Sequence, residues 1–105
     1  RRNPHVQAEP TLVTHLASAD DRRDPKTRQQ LDAFAAATAD LPGPRSIANS
    51  AGVLAWPTAR ADWVRPGLML YGASPFPSGT GAELGLHPAM TLRTEVIAVK
   101  AVRAG

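Results

Sequence analysis

The sequence predicts an α/β fold with parallel strands, and three observations carry that reading. Short β-prone runs at residues 11–16, 46–48 and 62–64 alternate with helical segments; strand–helix–strand order closes through right-handed parallel crossovers. The runs lead into polar residues, His15, Asn49-Ser50 and Arg65, and in parallel α/β folds ligands gather where strands end. Beyond a proline- and glycine-rich stretch, residues 91–102 are rich in threonine, valine and isoleucine with partial alternation. That is the pattern of a long strand of a different kind, one belonging to a second, antiparallel unit.

The first run follows Glu9-Pro10 and passes into Thr14-His15-Leu16-Ala17-Ser18-Ala19-Asp20. A charged loop, residues 20–25, precedes the best helix. Thr27 reads as its N-cap, with Gln30 completing a capping box. Leu31, Phe34, Ala35, Thr38 and Leu41 recur at helical spacing and give one apolar face. Pro42-Gly43-Pro44 ends the helix. After the second run, Asn49 and Ser50 are both strong N-cap types, so Ser50–Ala55 reads as a short helix stopped by Trp56-Pro57. The third run leads into Arg65-Pro66-Gly67, and residues 68–71 read as one helical turn. Residues 74–81 hold Pro75, Pro77, Gly79 and Gly81, the composition of a linker. No internal repeat is found.

Composition bounds the rest. The chain has 105 residues, room for one small domain. Alanine supplies 19 of its apolar residues, while Leu, Ile, Val and Phe together number 21, so a core built from this chain alone is marginal. The absent initiator methionine and the Val-Arg-Ala-Gly end fit a piece of something longer. No apolar run approaches the roughly 18 residues of a membrane span, and Arg1-Arg2 leads into no secretion signal. Without cysteine there is no disulfide, thiolate nucleophile or zinc-thiolate site. Ten arginines against nine carboxylates are scattered, which argues against the basic stripe of a nucleic-acid binder.

The strand ends carry the chemistry. Ser50 offers a hydroxyl with helix-start amides behind it, a pairing that suits phosphate. The Gly67-Leu68 amides open a second turn toward the same anion. Arg65 is a permanent cation with a rigid fork of donors. His15 can relay a hydrogen bond. Each has a plainer reading: Ser50 as a helix cap, Arg65 as an ion pair, His15 as a half-buried histidine, Gly67 as turn chemistry. Their joint placement on successive strand ends favours a site. A hydrolase triad lacks its G-x-S-x-G elbow, the phosphate loop is absent, Gly79, Gly81 and Gly85 are misspaced for a dinucleotide fingerprint, and the three histidines lack metal-ligand spacing.

Three ordered blocks resemble bacterial alanine racemase: Thr14-His15-Leu16-Ala17-Ser18-Ala19-Asp20, Ala48-Asn49-Ser50-Ala51-Gly52, and Val64-Arg65-Pro66-Gly67-Leu68-Met69-Leu70-Tyr71-Gly72. Residues 86–99 are similar to the start of that family's β-rich C-terminal domain. The resemblance implies that residues 1–73 are the last part of a (β/α)8 TIM-type barrel, 74–85 a linker, and 86–105 the first strand of the second domain. It implies a cytoplasmic homodimer that binds pyridoxal 5'-phosphate and interconverts L- and D-alanine for peptidoglycan synthesis, with no nucleic-acid or membrane partner. Ser50, Gly67 and Leu68 would hold the cofactor phosphate. Arg65 would face the pyridine nitrogen, and His15 would join Arg65 to the catalytic tyrosine in a supporting relay. No role is implied for Asn49.

The family uses two bases, a lysine and a tyrosine from the partner subunit. Lys26, Lys100 and Tyr71, the chain's only lysines and tyrosine, match neither position, which implies that the isolated chain is inactive. Two other readings compete. One is a fragment of a related decarboxylase of the same barrel type, against which Arg65 speaks because those relatives oppose the ring nitrogen with an acid. The other is a non-catalytic small α/β domain that binds anions or a protein.

Overall fold

The computed structural model describes His5 and residues 9–103. The Arg1-Arg2 start and the Ala104-Gly105 end of the expected units lie outside the described residues. Strand β1 (Leu12–Val13) and strand β2 (Arg45–Ser46) pair in parallel, Leu12 opposite Arg45 and Val13 opposite Ser46. The ladder runs on through the Thr14 amide, which donates to the Ser46 carbonyl at 3.2 Å. The third run joins by one parallel bridge, Ser46 to Trp63, and the Arg65 amide donates to the Ala48 carbonyl at 2.8 Å. Each strand therefore pairs with the next in sequence. All three are shorter than their sequence pattern; on the first, the backbone beyond Thr14 is bonded by side chains instead of by a neighbouring strand.

Helix α1 (Lys26–Ala37) starts differently from the expected capping box. Pro25 holds the N-cap position with φ −65°, a conformation proline supplies without cost. The Asp24 carboxylate accepts from the Lys26 amide at 2.9 Å. That bond, followed by one from Ser18, holds the Asp24 carboxyl below its usual range. A lowered folded value means that this contribution is present above the ordinary carboxylate range. It is lost as pH falls through the lowered value. Thr27 instead sits inside the first turn, fully buried, its hydroxyl without a partner among the described residues. The helix also ends earlier than the apolar pattern. At Thr38 the backbone amide and the hydroxyl both bond the Phe34 carbonyl, at 3.1 and 2.8 Å, and Arg45 takes the Thr38 carbonyl at 2.9 Å. Leu41 lies beyond this end and is exposed.

Helix α2 (Ser50–Ala55) forms as expected, and Trp56-Pro57 ends it in a 3₁₀ turn at Pro57–Ala59. It packs closely on the strand end: a side chain at Gly52 would meet the Ala48 Cβ at 3.1 Å and Leu16 Cδ1 at 3.3 Å. The core is Leu16, Ala19, Ile47, Ala48, Ala51 and Ala59, with Leu31, Phe34, Val53, Trp56 and Phe76 packed against it. Four of the six central residues are alanine, as the composition implied. The Trp56 indole N–H donates to the Ala19 carbonyl at 3.0 Å, so this large ring buries no unpaired donor.

A 3₁₀ turn at Leu68–Leu70 follows the third strand. The chain then loops out and returns through a Tyr71–Pro88 antiparallel bridge and an Ala89 amide bond to the Leu70 carbonyl at 2.7 Å. Inside this loop a 3₁₀ turn at Ala82–Leu84 is capped reciprocally. The Thr80 amide donates to the Glu83 carboxylate at 2.6 Å, and the Glu83 amide donates to the Thr80 hydroxyl at 3.3 Å. The Thr80 amide and then its hydroxyl hold the Glu83 carboxyl below its usual range.

The long strand expected over residues 91–102 does not form. Residues 89–103 carry no regular secondary structure, and Leu92 and Ile97 are almost fully exposed, at 96% and 97%. A strand is a paired object, and no described segment lies in register with this one.

Candidate functional site

The carboxyl ends of the three strands open onto one cleft of about 310 Å³, lined among others by His15, Asn49, Ser50, Arg65, Gly67 and Leu68. All the residues singled out at the strand ends thus meet in one place. Asn49 and Ser50 divide the work of the α2 start. The Asn49 side chain takes the capping role, accepting from the Gly52 amide at 2.9 Å. That leaves the Ser50 hydroxyl for the loop after Arg65, where it accepts from the Gly67 amide at 2.9 Å and the Met69 amide at 3.2 Å. Between those two amides, the Leu68 N–H has no protein acceptor among the described residues. The Ser50 oxygen thus takes two backbone donors, and its own proton and the Leu68 N–H are the donors left for an anion such as phosphate. Gly67 keeps the approach open, since a side chain there would meet no atom within 4 Å.

Arg65 is half-buried and fixed from two strands. Nη1 donates to the Ser46 hydroxyl at 2.7 Å, and Nη2 to the Thr14 carbonyl at 2.7 Å and the Ile47 carbonyl at 3.5 Å. Nε–H carries no bond among the described residues, and no carboxylate there pairs with the guanidinium. A positioned cation with uncommitted N–H groups on Nε and Nη1 suits an acceptor atom in the cleft. The His15 ring lines the cleft and is exposed. No hydrogen bond joins it to Arg65 among the described residues; the link between them is the Thr14 carbonyl, one peptide away.

Several participants were not evident beforehand. Asp20 and Pro75 line the cleft, although Asp20 reads as loop charge and Pro75 as linker. Ser46 and Gln30 matter through the bonds they make; the sequence marks Ser46 only as a strand residue and Gln30 only as part of a capping box. Among the described residues no cluster of His, Cys, Asp or Glu could hold a metal, and no helix is long and apolar enough to cross a membrane.

Replacing Ser50 by alanine leaves the Gly67 and Met69 amides without their acceptor. The expected cost is about 1–2 kcal/mol of stability, measured by denaturant unfolding of the full-length protein.

Parallel strands paired in chain order, with polar groups gathered at their carboxyl ends, define an α/β unit with a candidate anion site. Residues 2–75 match the family described as Alanine racemase, N-terminal domain, and the chain belongs to that family. It is 58% identical over 100 residues to the alanine racemase of Halorhodospira halophila, covering 95% of this chain and 28% of that protein. It is likewise 58% identical over 102 residues to the alanine racemase of Thioalkalivibrio sulfidiphilus, covering 97% and 28%. The chain thus spans little more than a quarter of the length of these relatives. Among solved structures, the biosynthetic alanine racemase from Pseudomonas aeruginosa superposes with a TM-score of 0.74 at 49% identity, covering 82% of this chain and 24% of that one. The alanine racemase from Bartonella henselae with covalently bound pyridoxal phosphate superposes with a TM-score of 0.61 at 36% identity, covering 65% and 20%.

Proposed function

We infer that this chain is the part of a pyridoxal 5'-phosphate-dependent alanine racemase that seats the cofactor. Residues 1–73 are the end of its (β/α)8 barrel, 74–85 the connection, and 86–105 the entry to a β-rich second domain. Strands that pair in sequence order, without the reversal of a doubly wound sheet, support the barrel. The parent is a cytoplasmic homodimer that interconverts L- and D-alanine and supplies D-alanine for peptidoglycan.

The observation that carries this reading is the Ser50 hydroxyl with the Gly67 and Met69 amides on it, in one cleft with Arg65. Ser50, Gly67 and Leu68 bind the phosphate. Arg65 orients the ring and faces its nitrogen. His15 supports a base outside this chain and is coupled to Arg65 through the Thr14 backbone. When bound, pyridoxal phosphate supplies an electron sink for the substrate α-carbon. The two proton-transferring bases lie outside these residues, so this chain alone does not racemise.

The test is exchange of the alanine α-proton in heavy water by the full-length protein loaded with pyridoxal phosphate. Loss of chirality together with deuterium at the α-carbon is expected; net decarboxylation or no exchange overturns the reading. Gly67→Ala sharpens it. The added methyl meets no atom of the described residues within 4 Å, so the unfolding midpoint stays near the parent's while cofactor affinity falls about tenfold or more. Unchanged affinity, read by cofactor titration, removes Gly67 from the phosphate site.

A further inference from the structure

The strand end that carries His15 is held almost entirely by side chains. β1 stops at Val13, yet the next four residues stay tied along both edges. On the edge facing β2, Arg65 donates to the Thr14 carbonyl at 2.7 Å, and the Asn49 Nδ2 donates to the Leu16 carbonyl at 3.2 Å. On the opposite edge there is one residue, Gln30 of α1. Its Nε2 donates to the His15 carbonyl at 3.0 Å, and its Oε1 accepts from the Ala17 amide at 2.9 Å. In an extended chain the carbonyl of one residue and the amide two residues on face the same edge. A primary amide presents one donor and one acceptor side by side, so Gln30 pairs with this edge as a neighbouring peptide group would.

We propose that Gln30 is a positioning residue for the cofactor site. From a helix outside the cleft it fixes the backbone of His15 and Ala17, and so sets the direction of the His15 ring. The same backbone offers the Thr14 carbonyl to Arg65, so Gln30 also steadies the anchor of the guanidinium. Gln30 itself does not line the cleft. Its role in turnover rests on the racemase reading above; its role in holding His15 does not.

The experiment uses the full-length protein, with and without pyridoxal phosphate. Gln30→Met keeps the side-chain length and a good helix former but removes both bonds. Gln30→Glu keeps the acceptor for Ala17 and sets a carboxylate oxygen against the His15 carbonyl. In the holoenzyme both variants are expected to lower kcat about tenfold or more, with KM within about threefold, because positioning errors act mainly in the transition state. In the cofactor-free protein the His15 ring resonances should shift, and the Ala17 amide should exchange about tenfold faster. A purely structural role predicts a lowered melting temperature with the His15 resonances and kcat of the folded protein unchanged in Gln30→Met; that result overturns the proposal. Should the parent fail to racemise alanine, the functional reading falls, while the His15 resonances and Ala17 exchange still decide Gln30.

Discussion

Arg65→Lys in the full-length protein should raise the fraction of turnovers that end in transamination and lower the rate of racemisation. Arg65 uses its terminal nitrogens on Thr14 and Ser46, at 2.7 Å each, and still has Nε–H to offer. A lysine ammonium is a point donor on a flexible stem, and it cannot span two strand ends and face a ring at once. Loss of one of these charge-assisted bonds costs about 1.5–3 kcal/mol, so the melting temperature falls as well. The chemical consequence is separate. Arginine holds its proton tightly, so it would leave an acceptor nitrogen opposite it unprotonated. A cofactor ring facing that cation would draw less charge from the substrate α-carbon, which would favour return of a proton there. Lysine gives up a proton more readily and shifts that balance. The measurement is the ratio of racemised alanine to pyruvate released, at a temperature where both proteins are folded. An unchanged ratio would show that Arg65 orients the cofactor without steering its chemistry.

The site was more legible in the sequence than the elements that build it. His15, Asn49, Ser50, Arg65 and Gly67 stand at strand ends because parallel α/β topology puts ligand groups there, and the structure gathers all five in one cleft. What the sequence could not show is which polar side chain answers which backbone group. Thr27-x-x-Gln30 and Thr80-x-x-Glu83 are equivalent capping patterns by local spacing. The second forms and the first does not. Asp24 and Pro25 had already started α1, which released Gln30 to reach thirteen and fifteen residues back to Ala17 and His15. Tertiary demand settled a question that local propensity left open. The strand pattern over residues 91–102 failed for a related reason: alternation describes a face that needs a partner, and the described chain supplies none.

Gly81→Ala should destabilise the full-length protein by about 3 kcal/mol, the upper end of what overpacking usually costs. Backbone meets backbone at this point. A Cβ on Gly81 would overlap the Gly72 carbonyl oxygen, and Gly72, at φ +73°, already lies against the Pro88 ring. No side chain can rotate to make room, so the two segments must separate. Their separation strains the Tyr71–Pro88 bridge and the 2.7 Å bond from the Ala89 amide to Leu70. It also displaces what the loop carries between its two ends. Pro75 lines the cleft and Phe76 packs on the core, with the Arg22 guanidinium 5.2 Å above its ring. Cofactor affinity should therefore fall along with the unfolding midpoint. Gly85→Ala is the control. Its φ of +69° costs an alanine about 1 kcal/mol in backbone strain, but a side chain there meets no atom within 4 Å. If both variants lose the same stability and both keep the parent's cofactor affinity, the Gly72–Gly81 contact does not hold the loop against the site. If Gly81→Ala alone loses the cofactor, the segment that reads as a linker is one wall of the binding cleft.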